Sequence, residues 1–142
     1  MANVGLAYWL QGRLSAASAV LEEGLRDREE DYGFMDTHSF RTADVCHKVA
    51  QHCLRNSHNE QSERLVDQAL SVWSVDKSAY LPEIARTTFL KAKVAMALDR
   101  ETEAIGLYRK AASMRKVLTS QAKKHDQLSE ADFDELVTFW SR

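Results

Sequence analysis

An all-α fold, a helical-repeat solenoid of three helix hairpins with a C-terminal capping helix, is the architecture the sequence predicts. Three observations point to it. One proline and five glycines in 142 residues leave few breaks, and β-branched residues are sparse beside Ala, Leu, Glu, Lys, Arg and Gln, which lose little side-chain freedom in a helix. The balance of 44% hydrophobic and 28% charged residues is that of one globular domain able to bury a core. Third, the chain repeats itself. Placing residues 57–70 ("SHNEQSERLVDQAL") beneath residues 12–25 ("GRLSAASAVLEEGL"), a shift of 45, aligns Ser62 with Ala17, Val66 with Leu21 and Ala69 with Gly24. A further shift of 42 brings Ala104, Tyr108 and Ala111 into the same columns.

The columns continue upstream, through Gly5, Ala50 and Ala92 and then Tyr8, Cys53 and Ala95. Small residues recur because two antiparallel helices that cross closely leave room only for Gly, Ala or Ser, while the larger residue between them fills the adjoining gap. Each copy is therefore a pair of helices, with repeats at about 1–36, 37–79 and 80–118.

In chain order, helices are expected near 2–11, 15–31, 38–55, 59–73, 81–98, 100–118 and 129–140. Asn59 and Asp99 stand where N-caps would, and Pro82 suits the first turn of its helix, where a missing N–H costs nothing. "TSQAKKHDQ" reads as a polar connection. In the last segment, Ser129 three residues before Asp132 is a capping-box-like start, and Phe133, Leu136, Val137 and Trp140 form one apolar stripe. This helix either caps the exposed end of the stack or docks in a groove, its own or another protein's. The first helix has no such cover: Leu6, Trp9 and Leu10 face either the groove or a missing neighbour, as expected for the tail of a longer array.

These residues resemble the tetratricopeptide repeat family, and repeat one carries the pattern best, as Gly5, Tyr8, Gly12, Leu14, Ala17, Leu21 and Gly24. Repeats two and three depart from it, having lost the glycine and some large residues. The long period looks like that of kinesin light chains and of the C-terminal arrays of fungal nucleotide-binding, signal-transducing ATPases, and "REEDYGFMDTHSFRT" is similar to the fungal linker. The resemblance covers residues 2–118 and implies a concave groove lined by the first helix of each hairpin. Carried over by column, its lining is Leu6, Trp9 and Leu10, then Asp44, His47, Gln51, Leu54 and Arg55, then Arg86, Phe89, Lys93 and Met96. Such a mixture suits a peptide or partner helix with hydrophobic anchors and an acidic group. The family's dicarboxylate clamp is not matched, since His47 and Leu90 stand where cations are wanted.

The chemistry-bearing residues point away from catalysis. His47 and His52 lie on different helix faces, and His38, His58 and His125 fall in or beside connections. Cys46 and Cys53, roughly 10 Å apart along one helix at 1.5 Å per residue, are too distant to bridge and share an apolar face with Val49 and Ala50. No phosphate-cradling glycine loop, Gly-x-Ser-x-Gly or His-Glu-x-x-His occurs. The chain is expected to be no enzyme and to hold no cofactor or metal.

Residues 22–31 carry six acids against two arginines, and residues 109–124 carry six bases, at Arg109, Lys110, Arg115, Lys116, Lys123 and Lys124, with no acid and no aromatic among those bases. Both read as solvated faces rather than a nucleic-acid site. No apolar run spans a membrane, and the start lacks a basic leader, so the expected setting is cytoplasmic. The expected partner is a protein or peptide. The alternative is a structural segment that stacks on further repeats or on itself, the acidic early helix facing the basic late one.

Overall fold

The computed structural model describes residues 40–138 together with Ala19 and Glu23, both helical and exposed. The helix expected near 2–11, most of that near 15–31, the groove residues Leu6, Trp9 and Leu10, and Trp140 lie outside the described residues. The described residues are all-helical, with no strand. The chain divides into two compact units, Met1–Val72 and Trp73–Arg142.

In the first unit, α1 (Phe40–Arg55) turns into α2 (Asn59–Trp73), whose last residue belongs to the second unit. The turn is a Schellman closure. Ser57 is left-handed at φ 61°, its amide donates to the Leu54 carbonyl at 3.1 Å, and the His58 amide donates to the Cys53 carbonyl at 2.9 Å. The helices then meet through small residues: Ala50, Cys53, Ser62 and Ala69 are buried, and the Ser62 hydroxyl donates to the Ala50 carbonyl at 2.8 Å. A helix carbonyl thereby gains a second donor where only a small side chain lets the backbones approach.

In the second unit, a 3-10 turn at Ser74–Asp76 leads into α3 (Leu81–Ala97), with Pro82 in its first turn. Trp73 packs on Tyr80 with ring centroids 5.1 Å apart, and the Asp76 carboxylate accepts from the Ala79 amide and the Ser78 hydroxyl, both at 3.1 Å. α3 is followed by α4 (Glu101–Thr119), and this turn is the same Schellman closure. Asp99 is left-handed at φ 58°, with its amide on the Met96 carbonyl at 3.1 Å and the Arg100 amide on the Ala95 carbonyl at 2.9 Å.

Ser57 and Asp99 are 42 residues apart, the shift that aligns the two repeats. The left-handed residue stands in the column where repeat one has Gly12, so a serine and an aspartate adopt there the conformation that glycine favours. The small columns behave alike: Ala92, Ala95, Ala104 and Ala111 are buried as are Ala50, Cys53, Ser62 and Ala69. Asp99 is thus not the expected N-cap of α4. It belongs to the closure of α3, and Arg100 precedes the helix with no side-chain cap.

α4 ends at left-handed Ser120, whose amide donates to the Lys116 carbonyl at 2.8 Å. A polar connection with a 3-10 turn at His125–Gln127 then returns the chain to α3 as α5 (Ala131–Asp134). Expected over 129–140, this helix has only four residues, because its hydrogen bonds tighten from the Glu135 amide on Ala131 to the Leu136 amide on Phe133. The apolar stripe survives the shortening. Phe133 and Val137 are buried, and Phe133 joins Ala85, Phe89 and Ala111 in a core cluster bordered by Tyr108, Met114, Leu128 and Leu136.

Candidate functional site

The groove columns of the third repeat form one stripe on α3: Arg86, Phe89, Lys93 and Met96, spaced i, i+3, i+7 and i+10. On a helix these residues lie above one another along a single face. The stripe presents a cation, an aromatic ring, a second cation and a thioether in that order.

The segment around Phe133 lies on that stripe and contacts three of its four residues. Asp134 places a carboxylate oxygen 3.8 Å from the Arg86 guanidinium. Phe133 stacks on Phe89 with ring centroids 4.6 Å apart and planes inclined by 24°. Glu130 pairs with the Lys93 ammonium through a hydrogen bond. Offset stacking of two buried rings contributes about 0.5–1.5 kcal/mol beyond the area removed from water. The half-exposed Lys93–Glu130 pair contributes less, roughly 0–1 kcal/mol, and chiefly sets register.

A second set of contacts holds the segment to the last turns of α4 and to the connection that follows it. Lys123 donates to both Asp132 carboxylate oxygens, at 2.8 and 2.7 Å, and Arg115 approaches the same carboxylate at 3.6 Å while its Nε donates to the Asp132 carbonyl at 3.3 Å. The Ser129 amide and hydroxyl both donate to Asp132 Oδ2 at 2.8 Å. Burial pushes the Asp132 carboxyl up, but the hydrogen bonds from Lys123 and Ser129 and the charge of Lys123 outweigh it and hold the pKa at about 2. Asp132 is therefore a latch that stays ionised. The expected signal of Ser129 with Asp132 is realised as these hydrogen bonds, whereas Lys123 and Arg115 carry no local sign of a role, being 9 and 17 residues away.

Beside the segment, an open cleft of about 690 Å³ is lined by Phe89, Lys93, Met96, Ile105 and Tyr108 and by residues between His125 and Ala131. Met96 is 44% exposed and Tyr108 half-buried, with burial raising the phenol pKa. The α3 stripe is thus part covered and part open. Phe89 is 6% exposed and Arg86 4%, so neither offers much free surface while the segment is in place.

In the first unit, Asp44, Gln51 and Leu54 are half-buried, Arg55 is exposed, and His47 is buried at 1% exposure. His52, also buried, lies within 3.0 Å of the Asn56 amide nitrogen through its ring Nε2. Cys46 and Cys53 are buried free thiols. Among the described residues, no group of three or more His, Cys, Asp or Glu side chains is placed to hold a metal ion, and no helix is long and apolar enough to cross a membrane. No protein-family model matches the chain, and no curated protein matches it at a significant level.

Proposed function

We propose that the chain is a protein-interaction module built from tetratricopeptide-like hairpins, the tail of a larger signalling or scaffold protein, in which the first helices of the hairpins line the concave face of a right-handed solenoid. The observation that carries this reading is the α3 stripe: Arg86, Phe89 and Lys93 engage an acidic–aromatic segment by two ion pairs and one ring stack. A face with that chemistry suits peptide recognition, in which a buried aromatic anchor supplies affinity and flanking charges set register. The repetition of one turn geometry and one set of buried small columns at a 42-residue shift supports the repeat. The partner is a protein or peptide rather than nucleic acid or membrane, the setting cytoplasmic, and neither catalysis nor a cofactor is part of the reading.

One observation favours a second reading, a segment that stacks on further repeats or on itself. Val75 and Val117, also 42 residues apart, are 64% and 72% exposed, a recurring apolar position that a neighbouring repeat could cover.

Affinity capture from the source cells separates the two readings, using the native chain beside a Lys93→Glu, Met96→Glu variant. Both substitutions fall on partly exposed positions, so the helical circular dichroism should be unchanged. A partner held by the native chain and lost by the variant is the expected result. Recovery of the chain alone from both samples would favour stacking.

A further inference from the structure

We infer that the chain associates with a second copy of itself, the basic outer face of α4 in one copy taking the acidic columns Glu22, Glu23 and Glu29 of repeat one in the next. The inference deepens the stacking reading, on which it rests, and is independent of what the α3 stripe recognises. On α4, Gly106, Arg109, Lys110, Ser113, Lys116 and Val117 are all exposed. Spaced i, i+3, i+4, i+7, i+10 and i+11, they form one face, opposite the buried Ala104, Ala111 and Arg115. Among the described residues no acid pairs with Arg109, Lys110 or Lys116.

The repeat columns identify the occupant. The two shifts of the repeat, 45 and then 42 residues, place Glu22, Glu23 and Glu29 in the columns of Arg109, Lys110 and Lys116, and Ala19 in that of Gly106. Each basic position of the third repeat thus has a glutamate at the same place in the first. The middle repeat holds Asp67, Gln68 and Ser74 there, so the opposed charge is concentrated in the two outer repeats. Ala19 and Glu23 are helical and exposed, as Gly106 and Lys110 are. Charges of opposite sign at equal spacing attract in register while like sets repel, which fixes pairing of the first repeat with the third. Close approach is open as well: nothing lies within 4 Å of where a Gly106 Cβ would sit, and Ala19 is nearly as small. Such a contact also covers Val117, otherwise 72% exposed. A second copy is favoured over a foreign acidic protein because the chain itself carries the matching series at the matching spacing.

The test follows the mass of the full chain by sedimentation over a range of concentrations. At low salt the native chain is expected to gain mass with concentration, and to lose that gain at about 1 M salt, where the screening length falls to about 3 Å. An early-basic variant (Glu22→Lys, Glu23→Lys, Glu29→Lys) and a late-acidic variant (Arg109→Glu, Lys110→Glu, Lys116→Glu) each carry one sign of charge in both sets of columns. Each alone should stay monomeric, whereas their mixture should associate, one being basic and the other acidic. Gly106→Leu, at an exposed position with open space, should keep the helix content and weaken association by roughly tenfold or more. Should the early-basic variant fail to fold, the late-acidic chain and Gly106→Leu still decide. A native chain that stays monomeric would overturn the inference together with the stacking reading. Equal association by native and variant chains, or a mixture of folded variants that stays monomeric, would overturn the inference and leave stacking through another surface standing. Capture of poly-glutamate by a monomeric native chain, lost in the late-acidic variant, would overturn it in favour of a foreign acidic partner.

Discussion

Asp132 is the most heavily engaged carboxylate of the segment, and its energetics can be read from its partners. Its pKa is about 3.8 unfolded and about 2 folded, so its stabilisation is fully present above about pH 5 and is lost as pH falls through 2. Asp132→Asn should therefore cost on the order of 1–2 kcal/mol at neutral pH and only a small fraction of that at pH 2, as measured by urea unfolding across that range. The left-handed residues make a second expectation. Ser57→Gly and Asp99→Gly should each stabilise by about 0.5–1 kcal/mol, because glycine adopts that conformation without steric cost; lower urea midpoints for both would contradict the assigned turn. At this scale the sequence was legible where partners are near neighbours, as with Ser129 and Asp132. It was misleading at Asp99, where the C-terminal closure of one helix and the N-cap of the next compete for one residue.

Between elements, the contact that matters is the close approach of paired helices at small residues. Ala104 is fully buried on α4, so Ala104→Leu should overpack the hairpin and cost about 1–3 kcal/mol in thermal or chemical unfolding. Gly106, in the same helix, is exposed and has no atom within 4 Å of where a Cβ would sit; Gly106→Ala should stabilise by about 0.5–1 kcal/mol. The contrast shows why small residues on one helix are not equivalent: one is required by the neighbour, the other by nothing in its surroundings. The ends of the four longer helices that fall within the described residues were legible to within one residue, because breakers and small-residue columns bound them locally. The last helix was not, since its length is set by the register in which Phe133 reaches Phe89 and Asp132 reaches Lys123, neither of which is a local property.

For the molecule as a whole, the question is what the α3 stripe recognises. That Arg86, Phe89, Lys93 and Met96 share a face was legible from helical spacing alone. That the chain's own Glu130, Phe133 and Asp134 would lie on it was not, because the pairing spans some 40 residues and depends on where the connection after α4 turns back. His47, expected as a lining residue, is buried as Arg86 and Phe89 are, since a column shared by helical repeats says which way a side chain points and not what lies over it. The most direct test of the recognition claim is a double-mutant cycle on Lys93 and Glu130, with stability measured by chemical denaturation for Lys93→Glu, Glu130→Lys and the combined exchange. The expected result is that each single change destabilises, by placing like charges together, and that the exchange restores most of the loss, a coupling on the order of 0.5–1 kcal/mol. Losses that simply add would mean that the segment does not read the stripe through this pair, and would contradict the account.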